Sequence, residues 1–103
     1  MNNLFDLPKL PIPEEQFDKL MEKNGVLIER IVSTGQVSPP GFWFDQDRDE
    51  WVVLIQGEAE LEFEDGKIVR LKKGDHIMCP KDLKHRVTYT SVEPACIWLA
   101  VHF

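Results

Sequence analysis

Residues 41–57 read Gly-Phe-Trp-Phe-Asp-Gln-Asp-Arg-Asp-Glu-Trp-Val-Val-Leu-Ile-Gln-Gly, and this stretch decides the fold of the chain. It joins a charged loop, residues 45–50, directly to an apolar run, residues 51–55. A short run that is rich in β-branched and aromatic residues and closed by a glycine indicates a strand covered on both faces. Polar side chains held at the rim of such a strand are well placed to form a binding site.

After residue 25 the rest of the chain follows a period of two. Strands are predicted at residues 26–32, 51–55, 58–64, 67–71, 76–79, 85–90 and 95–103. Segment 58–64 is the clearest, because Ala59, Leu61 and Phe63 alternate with four glutamates, which are expected to face solvent. The dipeptide Asp65-Gly66 then signals a hairpin. Many short strands separated by turn residues predict an antiparallel sandwich or barrel.

Residues 1–24 are predicted to form an N-terminal arm and a short helix that packs outside a barrel domain of residues 25–103. The apolar residues of the arm predict that it packs on the barrel or on a second subunit. The helix is predicted over residues 13–23, with Pro13 at its first position and Asn24-Gly25 at its end. Phe17, Leu20 and Met21 fall at helical spacing on one face.

Composition limits the classes of function. A chain of 103 residues with 43% hydrophobic content forms one domain. Its net charge of −6 argues against a nucleic-acid surface, which needs a cationic stripe. No apolar run approaches the ~20 residues of a membrane helix, and residues 1–11 lack the features of a signal peptide. Cys79 and Cys96 lie in apolar segments, where thiols are typical of buried positions in a reducing compartment. A cytoplasmic protein is therefore expected.

The segment from residue 41 to residue 85 resembles the two sequence motifs of the cupin superfamily. The first motif is a glycine, then His-x-His, three or four residues, a glutamate, six residues and a glycine; Glu50 and Gly57 have the required separation. The second is a glycine, five residues, proline, one residue, glycine, two residues and histidine; Gly74, Pro80 and His85 fit. The resemblance implies an antiparallel jelly-roll β-barrel, like that of small single-domain bacterial cupins.

The chain departs from the family at the metal-binding histidines of the first motif. Those positions hold Phe44 and Gln46, or Trp43 and Asp45 with the longer spacer. Zinc, iron and nickel are usually held by at least three protein ligands, with imidazole prominent among them. The resemblance therefore implies a histidine-poor site for a divalent ion (Zn, Fe, Mn or Ni), weak or absent. The metal ligands that it leaves are Gln46, Glu50 and His85.

A small-molecule ligand is expected inside the barrel, and two functions remain open for it. The first is a binding module in which Gln46, Glu50 and His85 orient the ligand. The second is a metal-dependent isomerase, lyase or oxygenase of a small polar metabolite, with Glu50 and His85 as catalytic proton carriers or ligands. The other side chains expected at the ligand pocket are Trp43, Phe44, Asp45, Tyr89, Trp98 and His102.

A homodimer is also predicted. Trp51, Val53 and Ile55 alternate with Val52 and Leu54, so both faces of this strand are apolar. If one set fills the barrel, the other needs its own cover. The resemblance to cupins favours a second subunit as that cover.

Overall fold

The structure, a computed structural model, describes residues 2–103 and contains eight strands and no helix in that range. In chain order the strands are β1 (Gln16–Lys23), β2 (Val26–Ser33), β3 (Glu50–Gln56), β4 (Glu58–Phe63), β5 (Ile68–Lys72), β6 (His76–Cys79), β7 (His85–Thr90) and β8 (Cys96–His102). The predicted strands are therefore present, and no predicted bound differs from the observed one by more than one residue.

The strands form two antiparallel sheets that pack face to face. The larger sheet has the order β1-β2-β8-β3-β6, and the smaller has the order β5-β4-β7. Val52 and Trp98 of the larger sheet join Ala59, Leu61 and Phe63 of the smaller in one buried cluster. This arrangement confirms the predicted antiparallel β-barrel class.

The predicted N-terminal helix is wrong, because residues 16–23 are strand β1. Asn24 and Gly25 both have positive φ, 52° and 79°, as a tight hairpin turn between β1 and β2 requires. The pairing register shifts between Lys19 and Met21, which leaves Leu20 as an extra residue. This bulge interrupts the alternation of the strand, so that its apolar residues imitate helical spacing.

One face of β4 is buried in the core, as predicted. The opposite face is only partly exposed to solvent. Ala59, Leu61 and Phe63 are buried. Glu60 and Glu62, expected in solvent, are half-buried and form salt bridges with Arg70 and Arg86. Cross-strand pairing with the two neighbouring strands brings these opposite charges together.

The N-terminal arm docks on the outer face of the larger sheet. The guanidinium of Arg30 donates hydrogen bonds to the carbonyl oxygens of Leu4 and Asp6, both at 2.9 Å. The same guanidinium pairs with the Asp18 carboxylate at 2.6 Å. The arm therefore covers the Arg30–Asp18 ion pair on this sheet face.

Within residues 2–103 no helix has the length and apolar character needed to cross a membrane.

Candidate functional site

A cavity of about 140 Å³ lies between the two sheets. Its walls are contributed by β1, β2, β3 and β8 of the larger sheet, by β4 and β7 of the smaller, and by the chain that precedes β1 and β3. Apolar and polar side chains alternate around it. The lining residues are Glu15, Phe17, Glu29, Ile31, Phe44, Gln46, Glu50, Val52, Leu61, His85, Val87, Trp98 and His102.

Phe44, Gln46, Glu50 and His85 form what we call the motif side of the cavity. Glu50 opens β3 and His85 opens β7, and the loop before β3 reaches His85 through a backbone hydrogen bond from Phe44 N–H to His85 C=O at 2.7 Å. The Gln46 amide donates to Glu50 Oε1 at 2.7 Å. The Phe44 and His85 rings stack with centroids 5.4 Å apart.

His85 has an unusual environment for a buried polar side chain. Its side chain is only 8% exposed, and among residues 2–103 neither ring nitrogen makes a hydrogen bond. The closest carboxylate oxygen, Glu50 Oε1, lies 3.5 Å from His85 Nε2. Burial lowers the pKa of His85, and the nearby imidazole of His102 lowers it further, against the opposing charge of Glu50. The imidazole is therefore neutral at pH 7 and offers one donor and one acceptor to the cavity.

Glu15, Glu29 and His102 form what we call the acidic side. His102 Nε2 lies 2.9 Å from Glu29 Oε1 and 3.9 Å from Glu50 Oε2, so His102 stands between the two sides. The pairing of β2 with β8 sets Glu29 opposite Ala100 and Leu27 opposite His102. That register turns both polar side chains towards the cavity.

The charges of the acidic side influence one another. The hydrogen bond to Glu29 raises the pKa of His102, which favours the imidazolium. Burial raises the pKa of Glu15, and the negative charge of Glu29 adds to this effect, although the Ser33 hydroxyl donates to Glu15 Oε2 at 2.7 Å. A region with this many carboxylates favours a positively charged partner.

The structure separates the predicted pocket residues into two groups. Phe44, Trp98 and His102 line the cavity, as do Gln46, Glu50 and His85. The three that lie elsewhere are placed by contacts with cations: Trp43 lies under Arg86, Tyr89 lies under Arg70, and Asp45 faces Lys84 on the surface. None of these three side chains lines the cavity. Their side chains follow the outward direction of the strand or loop that carries them.

The sequence did not indicate Glu15, Phe17 or Glu29 as pocket residues. Glu15 and Phe17 were assigned to a helix outside the barrel, and Glu29 lay in a strand with imperfect alternation. The Asn24-Gly25 dipeptide was the available signal. As a hairpin turn it would have paired residues 16–23 with β2 and brought them to the same edge of the sheet.

The donor set of the motif side does not fit a histidine-rich metal centre. Glu50, Cys79 and His85 bring three potential ligand atoms within 4.8 Å of one another. Burial raises the pKa of the Cys79 thiol to about 12, with a contribution from Glu50, so the sulfur is protonated. Gln46 directs its amide towards Glu50, and Phe44 supplies a ring where the family has a ligand. One imidazole and one carboxylate are fewer than the usual minimum of three ligands.

Comparison with known proteins identifies the family. The cupin domain family matches residues 30–102, and the chain belongs to that family. A solved protein from Ralstonia eutropha JMP134, provisionally named a mannose-6-phosphate isomerase, has 42% identity and a TM-score of 0.93, with 99% of this chain and 95% of that chain covered. A cupin superfamily protein from Desulfitobacterium hafniense DCB-2 has 16% identity and a TM-score of 0.77, with 93% and 83% covered.

One curated relative matches over a shorter stretch. The HTH-type transcriptional activator RclR of Escherichia coli (strain K12), described as specific for RCS, is 36% identical over 47 residues, which are 46% of this chain. The match spans only 16% of the length of that relative.

Proposed function

We propose that this cupin binds a small molecule inside its barrel, with Gln46, Glu50 and His85 orienting the ligand. The observation that carries the proposal is the cavity itself, whose walls combine aromatic and aliphatic side chains with converging polar groups. That combination is typical of small-molecule sites. The hydrogen-bonding capacity that His85 leaves unused supports the same function.

The dimensions of the cavity limit the ligand. Its volume of about 140 Å³ is close to the roughly 150 Å³ of a protein cavity that holds one benzene molecule. A ligand of that size could contact Trp98 and Phe44 with its apolar part. Its polar atoms would then meet Glu50 and His85, which are 7% and 8% exposed as side chains.

A thermal-shift screen of small metabolites against a blocked cavity tests this proposal. Val87 lies on the cavity wall, so Val87→Phe should fill the space, whereas Val92 is 57% exposed and Val92→Phe should not. Because a ligand of the native state raises the melting temperature with its concentration, hits should shift the wild type and Val92→Phe equally. Hits that shift Val87→Phe as strongly as the wild type would contradict binding in the cavity.

A metal-dependent enzyme is the second candidate, and the grouping of Glu50, Cys79 and His85 favours it. In that case Glu50 and His85 would be the catalytic proton carriers or ligands for an isomerase, lyase or oxygenase of a small polar metabolite. A Zn, Fe, Mn or Ni ion would have to deprotonate the thiol on binding. The solved relative from R. eutropha, with its provisional isomerase name, is consistent with this candidate.

Elemental analysis of the purified protein distinguishes the two candidates. One divalent ion per chain, lost in His85→Ala and retained in the matched surface variant His76→Ala, would favour the enzyme. Metal content well below one ion per chain, with no change in melting temperature on addition of divalent ions, would favour the binding module.

We further propose a homodimer that uses the outer face of the larger sheet. Cross-strand pairing aligns one apolar row across all five strands: Met21, Ile28, Val101, Trp51 and Met78. Its two ends are 41% and 44% exposed, and the middle residues are half-buried. A second subunit that covers this row would remove apolar surface from water, which is energetically favourable.

Light scattering tests the dimer. The expected mass is twice the 12.0 kDa of the chain, and Met78→Lys should reduce it to one chain, whereas Ile68→Lys on the smaller sheet should leave it unchanged. A mass of one chain for the wild type at micromolar concentration would contradict the proposal.

We also propose a cytoplasmic location, in keeping with two free thiols at Cys79 and Cys96. Fractionation of cells that express the protein should recover it with cytoplasmic markers, and recovery with an oxidising compartment would contradict the location.

A further inference from the structure

We propose that the ligand of the cavity is a small organic cation, a protonated amine or quaternary ammonium that carries a hydroxyl group. The inference rests on the proposed small-molecule function and adds the chemical class. It arises from three features that meet in one cavity: an excess of carboxylates, aromatic walls, and a buried imidazole with no hydrogen-bond partner.

The first feature is the charge of the lining. Three carboxylates, those of Glu15, Glu29 and Glu50, face the cavity. Among residues 2–103 its lining includes no lysine or arginine, and its basic groups are the imidazoles of His85 and His102. Acidic side chains therefore outnumber basic side chains in the lining, three to two. A cation in the cavity would gain Coulomb energy, and an anion would be repelled.

The second feature is the aromatic surface. Phe17, Phe44 and Trp98 line the same cavity, and Phe17 is 50% exposed, so it stands at the opening. Aromatic ring faces attract organic cations, and quaternary ammonium groups are recognised by such walls. Neighbouring carboxylates add to that attraction because the protein interior screens charge less than water does.

The third feature is His85, whose Nε2 lies 3.5 Å from the closest carboxylate oxygen, Glu50 Oε1. Its imidazole is more than nine-tenths buried, lines the cavity, and makes no hydrogen bond within residues 2–103. Its ring nitrogens are open to the cavity, since within residues 2–103 the fully enclosed side-chain atom that lacks a partner is Arg86 Nε. A ligand in the cavity can therefore supply the partner that polar groups of buried residues usually have. A ligand hydroxyl can donate to one ring nitrogen or accept from the other.

Phosphorylated sugars fit this lining poorly. A phosphate carries close to two negative charges at pH 7, and a phosphate site normally supplies lysine, arginine or backbone N–H groups. The cavity lining supplies carboxylates instead. A sugar phosphate, the substrate in the name of the R. eutropha relative, is therefore not the ligand expected in this cavity.

A pair of probes with the same shape and different charge tests the inference. Choline and 3,3-dimethyl-1-butanol share a hydroxyl and a branched head, and only choline is charged. Calorimetric titration at pH 7 should give choline a dissociation constant lower by about tenfold or more than that of the alcohol. Mannose 6-phosphate should bind no more tightly than mannose.

Variants of the acidic side test whether its carboxylates cause the preference for choline over the alcohol. Glu29→Gln should reduce the ratio between choline and the alcohol towards one, and Glu15→Gln should reduce it in part. Glu64→Gln, at an exposed position beyond β4, should leave it unchanged. If Glu29→Gln lowers the melting temperature too far for titration, Glu15→Gln and Glu64→Gln provide the comparison alone.

Two results would overturn the inference. One is binding of the alcohol as tightly as choline, which would leave a neutral-ligand cavity and the proposed function intact. The other is the absence of binding by both probes at millimolar concentration. Failure of the proposed function has a different signature, because screen hits would then be insensitive to Val87→Phe.

Discussion

The motif side and the acidic side share one cavity and differ in how the chain builds them. On the motif side, Glu50 and His85 open two strands, and their positions are determined by the spacing of a sequence motif. On the acidic side, Glu29 and His102 meet because the register between β2 and β8 turns both of them inward. The motif side contains one imidazole, that of His85, and the acidic side contains the carboxylates of Glu15 and Glu29. Under our proposal, the acidic side therefore determines the charge of the ligand.

We expect a charged substitution in the wall that both sides share to cause the largest loss of folding stability. Leu61 is 2% exposed and lies on that wall, so Leu61→Asp would bury a charge without a partner. We expect a loss of about 4 kcal/mol or more in the free energy of unfolding, measured with urea. Glu64→Lys, on the exposed turn after the same strand, should change it by less than about 0.5 kcal/mol. Equal effects for the two variants would contradict the placement of β4.

Restoring imidazoles to the motif side should return metal binding to it. Phe44→His with Gln46→His adds two ligands next to His85 and Glu50. The double variant should bind Ni²⁺ or Zn²⁺ roughly tenfold or more tightly than the wild type, about 1.4 kcal/mol or more. The shift in melting temperature with metal concentration measures this difference.

The matched control for that prediction is Phe42→His, because Phe42 is 45% exposed and does not line the cavity. It should behave like the wild type. A wild type that binds these ions as tightly as the double variant would show that the motif side is a working metal site, and the contrast between the two sides would fail.

Much of the fold, and half of the cavity, could be predicted from sequence for identifiable reasons. Strand bounds and the positions of Glu50 and His85 follow from period-two patterning and motif spacing, both of which are local. Glu15 and Phe17 were not predicted to line the cavity, because a bulge at Leu20 gives the apolar residues of β1 a helix-like spacing. Strand register cannot be read from one strand alone, since both β2 and β8 have apolar residues on both faces.

The acidic side should also make stability depend on pH. The pKa of His102 is raised in the folded state, so its bond to Glu29 contributes fully below the unfolded pKa of about 6.5 and weakens as pH rises through the folded value. His102→Gln should therefore destabilise the protein by about 1 kcal/mol near pH 6 and by less near pH 9. Urea titrations at both values measure this change.

His76→Gln serves as the control for His102→Gln, because His76 is exposed on β6 and does not line the cavity. Its effect on the free energy of unfolding should be the same near pH 6 and near pH 9. A His102→Gln effect that grows towards pH 9 would contradict the ion pair with Glu29.

The most direct test of the contrast between the two sides is an NMR titration of the two cavity histidines, assigned with His102→Gln and His85→Gln. Burial lowers the pKa of His85, and the hydrogen bond to Glu29 raises that of His102. The account predicts that His102 titrates above the ordinary value of about 6.5 and His85 below it. Two histidines that titrate together, or in the reverse order, would contradict it.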